Sequence, residues 1–432
     1  MNAKRLEISR LSHRFAFGPR PGEFAAALSA GVSATRQKVL TVPAVDAGAA
    51  LVANPLITDL GSRPKPNTPE IIPFVTGLRN QTEQLTLWWL DRMALSDHGL
   101  TEKMTWFWHG HWATSITKVD PPLAMYKQNQ TFRQYALGNF SQMSRAMVND
   151  AALQYWLDGQ TSTAKSPNEN LGRELMELFV LGVNRYTEDD VKAIARVLTG
   201  YQLNISAGTV LINPKRRDTS AVTLLGQTAT YTAESASDYL VAKPDCAKFI
   251  AERLWYRFIS STEDMPANLG AVNAFASREL APAVTSLAQD GAMANPRYSM
   301  VKSPVEWFIS ACRALELTPS KLTESKQLIN HLNKLGQIPF YPPNVGGWPA
   351  GEAWLSSASA QYRIAFATWL IKQSALRGLN EIPVDRRVLA SADWLGVAEW
   401  SPRTQAALRN SLGSPEEFVL LALCSPEYVV SA

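Results

Sequence analysis

Residues 103–115 read Lys-Met-Thr-Trp-Phe-Trp-His-Gly-His-Trp-Ala-Thr-Ser and contain two of the five histidines of the chain. These two, His109 and His111, flank one glycine. Burying a polar ring among aromatic side chains is costly unless the ring has hydrogen-bond partners. The stretch therefore predicts either a functional site or a hydrogen-bonded part of the core. Five of the 13 tryptophans lie in or just before it: Trp88, Trp89, Trp106, Trp108 and Trp112.

The composition is that of an ordinary globular protein. Of the 432 residues, 46% are apolar and 19% are charged, which argues against a disordered chain. The net charge is only +4 and the pI is near 8.8, short of the strongly basic balance of a nucleic-acid-binding domain. Glycine-rich nucleotide loops, a GxSxG elbow and an HExxH helix are absent from the sequence. We therefore expect no nucleic-acid partner and no common nucleotide or hydrolase site.

The cysteines and residues 1–10 indicate the cellular compartment in which the protein is expected. Three cysteines without a CxxC pattern are typical of a reducing environment rather than of a disulfide framework. The first ten residues contain charges and no apolar core of a signal peptide. No run approaches the roughly 18 apolar residues that a membrane span needs. The sequence therefore predicts a cytoplasmic protein without a membrane span.

Helical periodicity in most of the chain predicts a mainly α fold, a large single-domain helical bundle over residues 1–432. Residues 41–80 contain repeated prolines and predict an extended wrapping arm. A small β-hairpin insertion is predicted near 205–230, with residues 209–212 pairing with residues 222–225. Residues 336–358 form a long loop rich in glycine, proline and tryptophan.

The segment 168–181 predicts a helix with a narrow polar seam. At about 100° per residue, Asn170, Arg173, Glu174 and Glu177 fall on one stripe, and apolar side chains cover the rest. Such a seam must either be internally paired or face a cleft, because unpaired buried charge is costly. One interpretation is structural, with Arg173 pairing with Glu177 and Asn170 with Glu174. The other is a site with catalytic Arg173, Glu174 and Glu177 and substrate-binding Asn170.

The two histidines also allow two interpretations. In an extended segment His109 and His111 point to one side, whereas in a helix they diverge by about 200°. With Glu174, Glu177 or Asp190 they would make a centre for a divalent metal, since imidazole and carboxylate suit Zn, Fe or Mn. Without a metal they would serve as catalytic acid–base groups. The alternative is a pair of hydrogen-bonded core histidines.

The loop 336–358 is too long for a simple connection, which indicates function or a packed Ω-loop. Trp348 and Trp354 offer flat apolar walls, and Asn344 offers an amide, so these three are candidate substrate-binding residues. The alternative is that the aromatic rings of the loop simply fill the helical core. We expect the histidines, the polar seam and this loop to meet around one cleft.

Several segments together resemble a bacterial family known as domain of unknown function 1800. The resemblance implies a largely helical, single-domain bacterial protein, and it covers nearly the whole chain. It also implies an operon-encoded partner from another uncharacterised family, domain of unknown function 1501, which looks like the alkaline phosphatase and sulfatase superfamily. The main matching segments are Phe-Trp-His-Gly-His-Trp-Ala-Thr-Ser (107–115), Asn-Glu-Asn-Leu-Gly-Arg-Glu-Leu-Met-Glu-Leu-Phe-Val-Leu-Gly (168–182), Val-Lys-Ser-Pro-Val-Glu (301–306) and Pro-Pro-Asn-Val-Gly-Gly-Trp-Pro (342–349).

One position departs from that family. Relatives carry a His-Asp pair in the hairpin region, where this chain reads Arg217-Asp218. If the histidine serves chemistry in relatives, that chemistry is altered in this chain.

Three functions follow from these features. The first is an enzyme that uses a metal or a His/Glu acid–base pair. The second is a non-catalytic accessory or assembly protein that works with the operon partner. The third is a carbohydrate binder, which would need exposed tryptophans to stack on sugar rings.

Overall fold

Most of the predicted helical segments form helices in the computed structural model, which describes residues 2–431. The chain is 59% helical and forms a single mainly α fold, as predicted. The 24 α-helices within residues 2–431 are α1 (Ala3–Arg14), α2 (Glu23–Ala30), α3 (Val32–Leu40), α4 (Ala47–Ala50), α5 (Ile71–Leu95), α6 (Leu100–His111), α7 (Ile116–Val119), α8 (Pro122–Gln134), α9 (Phe140–Val148), α10 (Ala151–Trp156), α11 (Glu169–Glu174), α12 (Glu188–Val197), α13 (Ala233–Val241), α14 (Pro244–Phe258), α15 (Gly270–Ala274), α16 (Leu280–Gln289), α17 (Pro304–Ala314), α18 (Ser325–Lys334), α19 (Ser357–Ile371), α20 (Arg377–Asn380), α21 (Arg387–Leu395), α22 (Pro402–Asn410), α23 (Pro415–Leu423) and α24 (Pro426–Val429).

Two further features interrupt this helical pattern. A π-helical segment, Leu175–Val180, continues α11, and such segments are frequent at functional positions. Short 3₁₀ helices occur between the longer elements, in residues 159–161, 214–216, 291–294, 319–321, 351–354 and 384–386.

The strands form three antiparallel pairs within the described residues. β1 (Tyr201–Asn204) pairs with β2 (Thr209–Ile212), and β3 (Val222–Leu224) pairs with β4 (Gln227–Ala229). The predicted insertion near 205–230 is therefore present. The predicted pairing of residues 209–212 with 222–225 is wrong, because each strand pairs with a nearer neighbour across a short turn. A third pair, β5 (Met300–Val301) with β6 (Val430–Ser431), fixes the C-terminal segment against the body.

The helix α6 lies at the centre of the molecule. Every residue of α6 except Thr101 is buried, and its two charged residues, Glu102 and Lys103, both form ion pairs. Phe107, Trp108 and Trp112 pack into a hydrophobic cluster with α8 to α16. Trp106 packs into a second cluster with α5 and α17 to α23. The aromatic stretch therefore joins the two halves of the core.

An internal ion network fixes the first turn of α6. The carboxylate of Glu102 accepts hydrogen bonds from Arg92 Nε at 2.8 Å, from Arg133 Nε at 2.8 Å and from Trp89 Nε1 at 3.0 Å. Burial alone would raise the pKa of Glu102, but the charges and hydrogen bonds of Arg133 and Arg92 hold this pKa at about 2. One buried carboxylate thus pairs with two guanidinium groups, as expected from the rule that buried charges are paired.

The proline-rich arm is shorter than predicted. Residues 41–70 are irregular apart from α4, but α5 already begins at Ile71. Pro73 does not prevent this, because it occupies the first turn of the helix, where a missing N–H costs no hydrogen bond. The arm is attached to the body by Arg63, which forms an ion pair with Asp120 at 2.7 Å.

None of the helices described in residues 2–431 is both long and apolar enough to cross a membrane.

Candidate functional site

His109 connects α6 to the long loop that was predicted to lie near it. Its ring is 1% exposed, and its Nε2 accepts the backbone N–H of Phe340 at 3.0 Å. An Nε2 atom that accepts a hydrogen bond requires the neutral tautomer with the proton on Nδ1. The ring is surrounded by aromatic side chains, including Trp89 and Trp348, at centroid distances of 5.2 and 5.3 Å. Burial lowers the pKa of His109 to about 3.

His111 faces the other half of the core. Its ring is 3% exposed, and its Nε2 lies 2.9 Å from the carbonyl oxygen of Phe179 in the π-helical segment. That carbonyl is in the last turn of its helix and needs a donor, so His111 carries its proton on Nε2. Burial and the charges of Arg253 and Arg257 lower the pKa of His111 to about 3, against the opposing hydrogen bond to Phe179.

The two imidazoles therefore do not point at a common centre. Both residues lie within α6, where side chains two positions apart diverge by about 200°. Each Nε2 is already engaged with a backbone group of a different segment. Among residues 2–431, no group of three or more His, Cys, Asp or Glu side chains is arranged to hold a metal ion. In this arrangement the histidines position the loop and the π-helical segment around α6.

The predicted polar seam forms pairs at the protein surface. Arg173 donates to both oxygens of Glu188 at 2.7 and 2.8 Å, rather than to Glu177. Glu177 accepts the hydroxyl of Tyr186. Burial and the neighbouring charge of Glu177 raise the pKa of Glu174, whose side chain makes no hydrogen bond with residues 2–431.

The remaining seam residue, Asn170, is exposed, and its side chain reaches only the carbonyl oxygen of Leu157, at 3.4 Å. The structure thus brings the four seam residues near one another but not to the cleft described below.

The loop reaches the aromatic stretch, as predicted. The ring of Trp348 stacks on Trp106 with a centroid distance of 5.1 Å and an interplanar angle of 25°. Trp348 is 4% and Trp354 7% exposed, so neither offers an open face for a sugar ring, and the carbohydrate interpretation loses its basis. Asn344 is exposed, and its Oδ1 accepts the N–H of Gly346 within the same loop.

A narrow cleft of about 40 Å³ opens where this loop crosses α6. One wall is α6, with Lys103 and Trp106, and a second is the end of α14, with Arg257. The start of α17 contributes Glu306, and Trp348 closes the loop side. We call this space the Lys103–Glu306 cleft. Three of the four segments that carry the family resemblance contribute to it, although they are distant in the sequence.

Lys103 and Glu306, which both line this cleft, form an ion pair. The ammonium of Lys103 also lies 3.3 Å from the carbonyl oxygen of His13. Glu306 Oε2 accepts the N–H of Ser303 at 3.0 Å, which orients the carboxylate from the first turn of α17. Burial would raise the pKa of Glu306, but the charge and hydrogen bond of Lys103 hold this pKa below its usual value. The carboxylate is therefore ionised at neutral pH.

Two hydrogen-bond donors in the cleft walls have no side-chain acceptor among the described residues. The guanidinium of Arg257 donates to the carbonyl oxygens of Trp348 at 2.6 Å and Pro349 at 3.4 Å, and has no carboxylate partner in the described residues. The indole N–H of Trp348 is buried and has no acceptor among the residues that the structure describes. The walls can therefore donate hydrogen bonds to a bound molecule.

Sequence reasoning missed Lys103, Arg257 and Glu306 as site residues. Two signals were available. Ser303 and Glu306 have the spacing of a capping box, which places a carboxylate at a helix start, and both lie in a segment that carries the resemblance. Arg257 follows Arg253 by four residues on a largely apolar helix, where two arginines on one face require an explanation.

The pair Arg217-Asp218 lies outside the cleft lining. Asp218 forms an ion pair with Arg196 at 2.8 Å and accepts hydrogen bonds from Ser220, which together hold the pKa of Asp218 at about 2 against burial. In this chain the position fastens the insertion to the end of α12.

Comparison with known proteins gives one match. Neither the curated proteins nor the solved structures contain a match to this chain. Residues 10–430, nearly the whole chain, match the family described as "Protein of unknown function (DUF1800)". The match includes the aromatic stretch, the long loop and all the walls of the Lys103–Glu306 cleft, and the chain therefore belongs to the DUF1800 family.

Proposed function

We propose that the chain is an enzyme that binds a small substrate in the Lys103–Glu306 cleft and moves a proton with Glu306. The observation that carries this proposal is an ionised carboxylate paired with an ammonium group beside aromatic walls. Buried pairs contribute little net stability, so their presence in the lining of a cleft favours a functional role.

The roles follow from the chemistry of the two groups. The Glu306 carboxylate takes a proton from the substrate and becomes a carboxylic acid, and the substrate retains the electron pair. The Lys103 ammonium then stabilises the negative charge that develops on the substrate. Trp106, Trp348 and Trp354 exclude water, which strengthens both interactions.

The histidines support this site without touching the reacting atoms. His109 holds the loop at Phe340 and packs against Trp348, so it positions one wall of the cleft. With a pKa near 3, its imidazole is neutral at physiological pH, and its Nε2 is already engaged by the N–H of Phe340. We assign His109 and His111 as positioning residues in this proposal.

The proposal is tested by comparing proton transfer in the wild type with proton transfer in the variant Glu306→Gln. The purified full-length chain is incubated with mixed small metabolites in D₂O, and mass spectrometry identifies any component that changes mass or gains deuterium. We expect turnover by the wild type and a rate about 10²–10⁴-fold lower in Glu306→Gln. Glutamine retains an oxygen for the N–H of Ser303, so the capping box is preserved.

Glu352→Gln is the matched control. Glu352 lies on the loop 336–358, is exposed, and does not line the cleft. This variant should convert the substrate at the wild-type rate. Equal rates for Glu306→Gln and the wild type would refute the proton-transfer role, and absence of any conversion by the wild type would refute the enzyme proposal.

A second candidate function is an accessory protein that works with a partner of the domain of unknown function 1501 type. The observation that favours it is a set of exposed large apolar side chains on and beside the arm: Val45, Leu51, Leu56 and Ile72. Apolar side chains concentrated in one segment are typical of interaction surfaces. Co-purification of the two proteins should then depend on this segment, and a Leu51→Ser, Leu56→Ser variant that still binds the partner would contradict the idea.

A further inference from the structure

A second cavity, of about 600 Å³, lies between α5 and α18, and the Lys103–Glu306 cleft shares none of its lining residues. Sites for small molecules have volumes of roughly 300–1,000 Å³ and mostly apolar walls with a few polar groups. The second cavity is therefore large enough for a small organic molecule, and the chemistry of its walls indicates which kind. We call it the α5–α18 cavity.

One face of α5 forms the first wall of this cavity. At about 100° per residue, its lining positions fall on a stripe about 140° wide. The hydroxyls of Thr82 and Thr86 donate to the carbonyl oxygens four residues earlier, at 2.8 and 2.9 Å, so neither needs an acceptor from a ligand. The lining residues of α5 are Val75, Leu78, Arg79, Thr82, Glu83 and Thr86.

The opposite wall combines α18 with the start of the long loop, and the loop part is fixed from behind. Ile338 and Tyr341 line the cavity on either side of Phe340, which has a φ of +71°. The N–H of Phe340 donates to His109 Nε2 at 3.0 Å, and its carbonyl oxygen accepts the N–H of Ile116 at 2.9 Å. A non-glycine residue keeps a positive φ only where its surroundings hold it, so this wall is preformed.

Both carboxylates that line the cavity already have partners. Asp120 forms an ion pair with Arg63 of the proline-rich arm at 2.7 Å. Glu83 accepts the hydroxyl of Ser325, which joins α5 to the start of α18. Neither carboxylate is therefore available to neutralise a further cation of the lining.

The remaining polar groups of the lining are hydrogen-bond donors without partners. Arg79 and Lys326 are exposed to solvent and make no hydrogen bond or ion pair with residues 2–431. The hydroxyl of Tyr341 also has no acceptor in that part of the chain. Burial raises the pKa of Tyr341, so its hydroxyl is protonated at neutral pH and can donate. The unpaired charges of the cavity are thus positive.

We propose that the α5–α18 cavity binds an amphipathic carboxylate, such as a medium-chain fatty acid. The carboxylate would accept from Arg79 or Lys326 and from Tyr341, and charge-assisted hydrogen bonds of this kind are the stronger ones. The apolar chain would lie against Leu78, Ile116 and Ile338, where its burial supplies most of the affinity. This inference goes beyond the proposed function and does not depend on proton transfer by Glu306.

The experiment measures binding of decanoate to the full-length chain by isothermal titration calorimetry, below the concentration at which decanoate forms micelles. Acetate supplies the charged group without the chain, and decan-1-ol supplies the chain without the charge. Ionic strength is kept constant with chloride, because salt screens exposed charges. We expect decanoate to bind saturably at one site, acetate to give no measurable binding, and decan-1-ol to bind about tenfold more weakly than decanoate.

The variant Val75→Trp tests the position of the site by filling the cavity. Val75 is 42% exposed, so the larger ring does not have to enter the core, and we expect decanoate binding to be lost. The matched control is Ile72→Trp, which adds a similar ring to the same helix at a position that is 74% exposed and does not line the cavity. This control should bind decanoate as the wild type does.

The double variant Arg79→Gln, Lys326→Gln tests the recognition of charge without changing the apolar walls. We expect decanoate to bind about tenfold more weakly and decan-1-ol to bind as it does to the wild type. The control Lys372→Gln, Arg377→Gln removes the same net charge from two exposed residues outside the cavity and should leave decanoate binding unchanged.

Three results would overturn the inference: no saturable binding of decanoate to the wild type, equally tight binding of decan-1-ol and decanoate, or unchanged decanoate binding in the double variant. If Val75→Trp did not fold, the double variant would still decide, because its two side chains are exposed and unpaired. Glu306→Gln should bind decanoate as tightly as the wild type, so failure of the proton-transfer proposal and failure of this inference are distinguishable.

Discussion

Between about pH 7 and about pH 4, the protein is expected to lose on the order of 5 kcal/mol of its free energy of unfolding through His109 and His111. Both imidazoles are buried and have pKa values lowered to about 3. In the unfolded chain a histidine has a pKa of about 6.5. Between these pKa values the two imidazoles are protonated in the unfolded state and neutral in the folded state.

The sign follows from this difference in bound protons. Above about pH 6.5 both states hold neutral imidazoles, and the full stability is present. As the pH falls toward 3, the unfolded chain gains one proton per histidine, and stability decreases by about 1.4 kcal/mol per pH unit for each. Below the folded-state pKa values the loss is complete.

Urea unfolding at a series of pH values, followed by tryptophan fluorescence, measures this slope. The double variant His109→Gln, His111→Gln should show a flatter dependence, and His13, whose pKa burial also lowers, should account for part of the remaining slope. Glutamine does not titrate, yet it can accept from the N–H of Phe340 and donate to the carbonyl oxygen of Phe179. His331→Gln is the control, because His331 is only partly buried and should change the slope less. A wild type equally stable at about pH 7 and about pH 5 would contradict the assignment.

The helices could be predicted because their signals are local. The sequence Thr187-Glu188-Asp189-Asp190 predicts a helix start, and the structure contains the capping box between Thr187 and Asp190. Apolar residues at helical spacing then fix the buried face. Signals of this kind need no knowledge of distant residues, which is why they translate directly into structure.

The predicted strand pairing in the insertion was wrong because one turn contains an unusual residue. Strands β3 and β4 are joined by Leu225 and Gly226, both with positive φ, as a tight two-residue turn requires. Leucine is rarely found there, so the turn was not recognised from the sequence. The polar segment at 213–218 was interpreted as the turn instead. In the structure it fastens the insertion to the body, through Arg216 and Asp218.

The site was predicted only in part, because its polar groups come from distant segments. The meeting of the aromatic stretch with the long loop was expected from their composition. The pair of Lys103 with Glu306 joins residues 203 positions apart, and nothing local indicates it. The polar seam was expected at the same cleft, but Arg173 pairs instead with Glu188, because α12 packs back against α11.

Gly347→Ala is expected to lower the free energy of unfolding by about 3 kcal/mol and to open the cleft. Gly347 has a φ of +79°, and a Cβ atom there would lie 2.2 Å from the carbonyl oxygen of Gly110 in α6. Because that oxygen belongs to the backbone of a buried helix, it cannot move aside. The loop would have to withdraw, and Trp348 would leave Trp106.

The variant Gly226→Ala measures the cost of backbone strain in the absence of a steric contact. Gly226 has a similar φ of +81°, but a Cβ atom there would meet no heavy atom within 4 Å. This control should cost only the conformational strain of about 1–2 kcal/mol. Urea unfolding gives both costs, and near-ultraviolet circular dichroism reports the stacking of Trp348 on Trp106. Equal losses of unfolding free energy in the two variants would show that the loop does not pack closely against α6 at Gly347. A larger cost for Gly347→Ala, with loss of the aromatic signal, would mean that the contact between the two glycines sets the width of the Lys103–Glu306 cleft.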